Sequence, residues 1–318
     1  MLDKILCITG PTASGKSELA MHLCRTKKQK NFEIISMDSA QIYKGVDIAS
    51  AKPSKIDRQE IPHHLIDICH PTETYSAAGF LRDTKKIIKK VIREGGTPLI
   101  VGGTMMYLQR LIHGIATVPE IPSKEKSKIE DMGKKLGWNR MHEELVEIDP
   151  DAAHRISKND SQRIVRQLSV WHYTGRTLSY WQKLPNYEGL DEKLHIVAVI
   201  PESRQILRDN IKNRLNHMIK NGMLEEVTKL KKDEGVTPKN PCGRLVGIRQ
   251  AMDYIDGKST FDQFINQTEF ATRRLAKHQL TWLSKLRNLT TIEVHSKPLS
   301  QLISIWDSSA DLDLTTPK

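Results

Sequence analysis

Residues Gly10-Pro11-Thr12-Ala13-Ser14-Gly15-Lys16-Ser17 fit the spacing G-x-x-x-x-G-K-[ST], and that spacing constrains the fold more than any other stretch of the chain. Two glycines let a backbone wrap an anion without Cβ clashes. Successive N–H groups then point inward as donors, and a helix N-terminus adds its partial positive charge. Lys16 supplies a point charge, and the Ser17 hydroxyl suits a magnesium ion. The motif requires strand, loop and helix in that order. Ile5-Leu6-Cys7-Ile8 supplies a short apolar strand, and Glu18 to Arg25 carries Leu19, Ala20, Leu23 and Cys24 at helical spacing.

A second strand is expected at Phe32 to Met37, ending in Asp38-Ser39-Ala40-Gln41. Ligands of parallel α/β sheets bind beyond the carboxyl ends of strands, so Asp38 falls near the phosphate-binding loop. It reads there as a general base or a magnesium partner, or as a helix N-cap. Ile42 to Pro53, with Tyr43, Lys44, Asp47 and Lys52, reads as a loop carrying ligand contacts. His63 and His64 are adjacent and point different ways on a regular element, which disfavours a shared metal. Ser76 caps a helix ending at Gly95-Gly96. Pro98 to Val101 forms the third strand, opening into Gly102-Gly103-Thr104. Thr104 is placed to donate to a phosphate oxygen or to hold a metal-bound water, or simply to make a turn. No carboxylate follows this strand, which argues against an ATPase motor.

From Thr117 the character changes. Helical patterns at Ser123 to Leu136, after Asp149 and at Gln162 to Tyr173 fill the chain until the next strand at His195 to Ile200. Residues 117–192 therefore read as an all-helical insertion domain, with 1–116 and 193–318 forming the α/β core and C-terminal helices. Arg155, Lys158, Arg163, Arg166, Arg176 and Lys183 lie in the insertion beside Trp171, Tyr173, Tyr180 and Trp181. This is either a solvated face or a nucleic-acid surface. Thr268 to Arg287 reads as a long, strongly basic helix, and the polar tail from Ser308 as frayed. Of 318 residues, 49 are Lys or Arg and 38 Asp or Glu, giving a net charge of +11 that suits a polyanionic partner. The first strand is expected to begin too early to leave room for a signal peptide, and no apolar run is long enough for a bilayer. The four cysteines lack metal spacing, so free thiols in a reducing cytoplasm are expected, and the length suggests a monomer.

Together these residues resemble the tRNA dimethylallyltransferase family, the bacterial adenosine-37 isopentenyltransferases. The resemblance spans nearly the whole chain. It rests on Gly10 to Ser17, Asp38 to Gln41 with Ile42-Tyr43, Ala51-Lys52-Pro53, Gly102 to Met105, Gln162 to Arg166, Gly243 to Gln250, and Ala276-Lys277 with Gln279 to Trp282. It implies a P-loop NTPase-like parallel sheet with a helical insertion. The implied reaction moves a dimethylallyl group from dimethylallyl diphosphate to N6 of adenosine 37, in tRNAs reading codons that begin with U. The loop Gly10, Pro11, Thr12, Ala13, Ser14, Gly15, Lys16 and Ser17 would then hold the donor's diphosphate. Asp38 would take the N6 proton, while Lys16, Thr104, Arg214 and magnesium on Ser17 would stabilise the departing diphosphate. The target base would have to leave the anticodon loop.

Carried over by motif, the implied tRNA contacts begin with Asp38, Ser39, Ala40, Gln41, Thr104 and Lys126. Gln162, Arg163, Ile164, Val165 and Arg166 follow in the insertion, and Arg244, Leu245, Val246, Gly247, Ile248 and Arg249 beyond it. The last run is Lys277, His278, Gln279, Leu280, Thr281, Trp282, Leu283 and Ser284. The chain departs from the family pattern at Ala49-Ser50, where Gly-Thr is usual, at Leu245 and Ile248, where Cys and Tyr are usual, and at His278 and Ser284, where Arg is common. Two other function classes fit the loop alone: a P-loop small-molecule kinase, with the insertion as a lid, and a non-catalytic RNA-binding protein. The first leaves the basic charge without a role, and the second leaves Lys16, Ser17 and Asp38 without one.

Overall fold

The computed structural model describes residues 4–116, 118–184, 189–190, 193–287, 289–293 and 298–311. It divides into two units. One comprises 1–112 and 190–318, the other 113–189.

The first unit is built on a six-stranded sheet in which every neighbouring pair is parallel. In chain order the strands are β1 (Lys4–Thr9), β2 (Phe32–Ser36), β3 (His63–His64), β4 (Thr97–Val101), β5 (Lys193–Ile200) and β6 (Leu289–Glu293), and across the sheet they run β3-β2-β4-β1-β5-β6. β1 lies between β4 and β5, with Cys7 opposite both Ile100 and Ile196. Its central residues Ile5, Leu6, Cys7 and Ile8 are at most 2% exposed. A parallel strand covered on both faces has to be apolar throughout, which is why this run lacks alternation. Leu19, Ala20 and Leu23 of helix Lys16–Thr26 bury against it. Helix Ala77–Arg93 begins where the Ser76 hydroxyl accepts from the Gly79 N–H.

Edge strand β3 is the pair of histidines. His63 donates through Nδ1 to the Ile61 carbonyl, and the His64 Nε2 sits 2.6 Å from Glu33. Edge strand β6 has only Ile292 fully buried, and its threonine-rich, half-exposed sequence carries little apolar signal. Helix Pro298–Asp311 seals one end of the core, with Trp306 edge-on to Phe32 at 5.0 Å. The remainder of the polar tail, 312–318, lies outside the described residues. The long basic helix starts earlier than its charge pattern predicts, at Phe261. Thr260 and Gln263 form a reciprocal cap there, and Phe264 is fully buried.

The second unit is helical: Ser123–Leu136, Trp138–Ile148, Pro150–Arg155, Ser161–Thr174 and Leu178–Lys183. Asp149, Asp160 and Thr177 each cap the helix that follows. Ile129, Met141, Leu145, Ile164 and Leu168 fill its core. Gly133 faces the Trp138 ring so closely that a Cβ would lie 2.3 Å from it, which fixes glycine at that helix crossing. All four cysteines are free and buried.

Candidate active site

Beyond the carboxyl end of β1 the chain enters residues 10–17. Gly10 has φ 152°, and a Cβ there would lie 2.4 Å from the Val199 carbonyl oxygen, so only glycine fits. Positive φ at Ala13 (61°) and Gly15 (82°) curls the loop before helix Lys16–Thr26 begins. No side chain caps that helix. Its first N–H groups, which have no partner within the helix, are left facing the loop.

Lys16 is 8% exposed, with Nζ 3.3 Å from the Pro11 carbonyl oxygen. Burial lowers its pKa to about 8, Asp38 pulls it back up, and Arg214 lowers it further. Arg214 projects from helix Arg204–Lys220. Burial lowers its pKa too, opposed by Asp38. Two partly desolvated cations therefore share one carboxylate as their electrostatic neighbour.

Asp38 follows β2 and caps no helix, since turns rather than helix come after it. Its Oδ1 accepts from the Ala40 N–H at 2.9 Å, a local turn that aims the carboxylate. The exits of β2 and β4 are tied together. Thr104 Oγ1 accepts from the Ser39 N–H at 3.0 Å and donates to Ser39 Oγ at 3.2 Å. The strands approach so closely that a Cβ on Gly102 would meet the Met37 carbonyl oxygen at 2.1 Å. Gln41 is buried and engaged with the Ser36 hydroxyl and the Ala51 carbonyl.

These groups line a cavity of about 460 Å³. Thr12, Lys16, Ser17, Asp38, Thr104 and Arg214 give it a charged, hydrogen-bonding wall. Ala49, Ile211, Leu215, Met218, Met223 and Leu245 give it an apolar one. Exposed Arg244, His278 and Trp282 also line it. An apolar wall beside an uncapped helix N-terminus accommodates a molecule with a greasy part and an anionic part. The oxygen donors present, the Ser17 hydroxyl and the Asp38 carboxylate, fit a hard cation that takes its other ligands from phosphate and water. Among the described residues no group of three or more His, Cys, Asp or Glu is placed to hold a metal alone.

The 46–52 loop is fixed by groups that its sequence pattern does not reveal. Glu226 accepts from the N–H groups of Asp47, Ile48 and Ala49 at 2.8–2.9 Å. The Lys52 ammonium is turned inward onto Tyr43 O, Asp47 and Asp67, which makes it a brace and not a ligand contact.

A family model described as IPP transferase matches residues 41–286. The chain belongs to the IPP transferase family. The match starts after residues 10–17, so that loop stands on its own spacing and geometry. A tRNA dimethylallyltransferase of Francisella tularensis subsp. novicida is 41% identical over 305 residues, covering 95% of this chain and 98% of that one. One from Polynucleobacter asymbioticus is 39% identical over 297 residues, covering 91% and 89%. The solved full-length tRNA isopentenylpyrophosphate transferase of Bacillus halodurans superposes with a TM-score of 0.70 at 29% identity, covering 98% of this chain and 100% of that one. The tRNA delta(2)-isopentenylpyrophosphate transferase of Staphylococcus epidermidis gives 0.69 at 29%, covering 98% and 99%. This IPP transferase has no described helix long and apolar enough to cross a membrane.

Leu280 aside, which is partly buried beside Leu207, Ile211 and Ala276, the residues expected to meet RNA fall into three groups. Asp38 to Gln41, Thr104, Arg244 to Gly247, His278, Gln279 and Trp282 share the cavity. Lys277, Thr281, Ser284 and Arg249 are exposed in the same unit, and Lys126, Gln162, Arg163 and Arg166 are exposed in the helical unit. Ile164, Val165, Ile248 and Leu283 have their side chains in the core, at 0%, 8%, 1% and 1% exposure. At those four positions contact would have to come from neighbouring side chains.

Proposed function

We propose that this protein transfers a dimethylallyl group from dimethylallyl diphosphate to N6 of adenosine 37, in tRNAs reading codons that begin with U. The products are N6-(dimethylallyl)adenosine and diphosphate. The observation that carries this reading is the cavity itself, where an uncapped helix N-terminus, a carboxylate and an apolar wall meet, in a chain whose relatives are named tRNA dimethylallyltransferases.

The N–H groups around residues 14–17, with Lys16, hold the donor's diphosphate, while Ala49, Leu215, Met218, Met223 and Leu245 enclose the allyl group. N6 attacks the allylic C1 as the C1–O bond breaks and its electron pair leaves with the diphosphate. Asp38 accepts the N6 proton; without that transfer the amine, whose lone pair is delocalised into the ring, is a weak nucleophile. Lys16, Arg214 and Thr104 face the oxygens on which charge accumulates. Ser17 and the diphosphate would hold magnesium, which supplies further charge neutralisation. The exposed cations of helix Phe261–Leu283 and of the helical unit contact the tRNA backbone.

The test mixes purified protein, magnesium, labelled dimethylallyl diphosphate and unmodified tRNA with adenosine at 36 and 37. ATP replaces the prenyl donor in the control. Label at adenosine 37 is expected. ATP consumed with a small acceptor, and no label in tRNA, would establish a kinase instead.

A further inference from the structure

We propose that Gln279 is a positioning residue for the phosphate-binding loop and not an RNA contact: its carboxamide clamps the tip of that loop to the end of β4. The proposal rests on residues 10–17 holding the donor's diphosphate. Gln279 lies on helix Phe261–Leu283, among the exposed residues Lys277, His278, Thr281 and Trp282, yet it is only 8% exposed. Its Oε1 accepts from the Thr12 N–H at 2.8 Å, and its Nε2 donates to the Gly103 carbonyl at 2.7 Å. One end of the amide thus serves the loop and the other the strand exit that leads to Thr104. A Cβ on Gly103 would lie 2.8 Å from Nε2, so the clamp also requires a glycine opposite it.

The clamp has a division of labour as its consequence. A loop N–H given to Gln279 is not given to phosphate. Thr12 is therefore anchored, and the donors of residues 14–17 stay free for the anion. A second brace holds the next residue. Asn210 of helix Arg204–Lys220 donates through Nδ2 to the Ala13 carbonyl at 3.2 Å, while Ala13 packs against Leu207, Ile211, Ala276 and Leu280. Ala13, at φ 61°, lies in a conformation that an unsupported loop would leave. Two C-terminal helices, far away in sequence, thus pre-shape the anion cradle.

Gln279→Met keeps the volume and removes both hydrogen bonds. Binding of inorganic diphosphate with magnesium, measured by calorimetry, is expected to weaken by about tenfold, and the KM for dimethylallyl diphosphate to rise in parallel. tRNA affinity by filter binding should stay within about twofold, while the melting temperature falls, because the Thr12 N–H and the Gly103 carbonyl lose their partners. Gln279→Ala also removes both hydrogen bonds but leaves room for water to reach the two freed backbone groups, and should give the same signature; it serves if Gln279→Met fails to fold. The proposal is overturned if tRNA affinity falls while diphosphate binding holds, or if the folded variants bind diphosphate as tightly as the unsubstituted protein. Diphosphate binding does not require turnover. A protein that binds diphosphate through this clamp and labels no tRNA would therefore refute the proposed transfer and leave the clamp standing.

Discussion

The proposed function requires Lys16 to be charged to hold a diphosphate, and a pKa of only about 8 then makes binding of the prenyl donor pH-dependent in a range where surface lysines are inert. The protonated fraction of such a group falls from about nine-tenths at pH ~7 to about one-tenth at pH ~9, whereas an ordinary lysine near ~10.4 stays almost fully charged. The terminal phosphate of the ligand has finished titrating by about pH 7, so the loss is on the protein. Affinity for a non-reactive allyl diphosphate analogue should fall by about tenfold between those two pH values, equivalent to about 1.4 kcal/mol. Stability moves the opposite way. The folded-state pKa is depressed below the unfolded value, so between about pH 8 and pH 10 the unfolded chain binds more protons. In that window the Lys16 contribution to stability rises with pH. Calorimetric titration of the analogue at pH 7, 8 and 9 measures the first effect, and urea unfolding of the free protein the second. Lys16→Met should bind more weakly at every pH and lose the tenfold slope. A wild-type affinity that is flat across the range, or a slope that survives in Lys16→Met, would refute the argument that a desolvated Lys16 carries the anion.

Asp38→Asn keeps the shape and the turn at Ala40 but removes the base. The single-turnover transfer rate should fall by about 10²–10⁴-fold while tRNA affinity stays within a few-fold, and near-normal turnover would remove Asp38 from the chemistry. Gly102→Ala places a Cβ on the Met37 backbone, which cannot step aside as a flexible side chain would, so unfolding in urea should show a loss of about 1–3 kcal/mol or more. tRNA binding should weaken at least roughly tenfold between about 50 and about 200 mM salt, as counterion release at several phosphates requires. A flat salt response would show that the net charge of +11 does not carry the contact.

The central strands and the loop at 10–17 were legible because short-range physics dictates them. A strand covered on both faces has to be apolar throughout, and a loop that passes as close to a neighbouring carbonyl as Gly10 does to Val199 has to have glycine there. Asp38 and Thr104 were legible for a related reason, since the ends of parallel strands gather at one edge. β6 was not legible, because a half-buried edge strand with one core residue looks like any polar stretch. Where the basic helix begins was misjudged because the charge pattern starts at Thr268, whereas its cap at Thr260 and its anchor Phe264 are uncharged.

What the sequence hid most completely was the set of braces behind the site. Glu226, Asn210 and Gln279 each bond to backbone groups 176–267 positions away. Such a bond leaves no periodicity, because its partner is a peptide group that every residue carries. Lys52 and Gln279 show how this misleads. Both sit within motifs that border the cavity, so both read as ligand contacts, yet each has its polar atoms engaged with the scaffold. A motif of this kind therefore records two different demands, those of the ligand and those of the loop that holds it. Bonding separates them: Lys16 and Gln279 are both 8% exposed, but Lys16 has a single 3.3 Å contact to the Pro11 carbonyl, whereas both ends of the Gln279 carboxamide are engaged. On that criterion the proposed anion cradle extends to helices Arg204–Lys220 and Phe261–Leu283. Its affinity for diphosphate should respond to substitutions there that touch no phosphate.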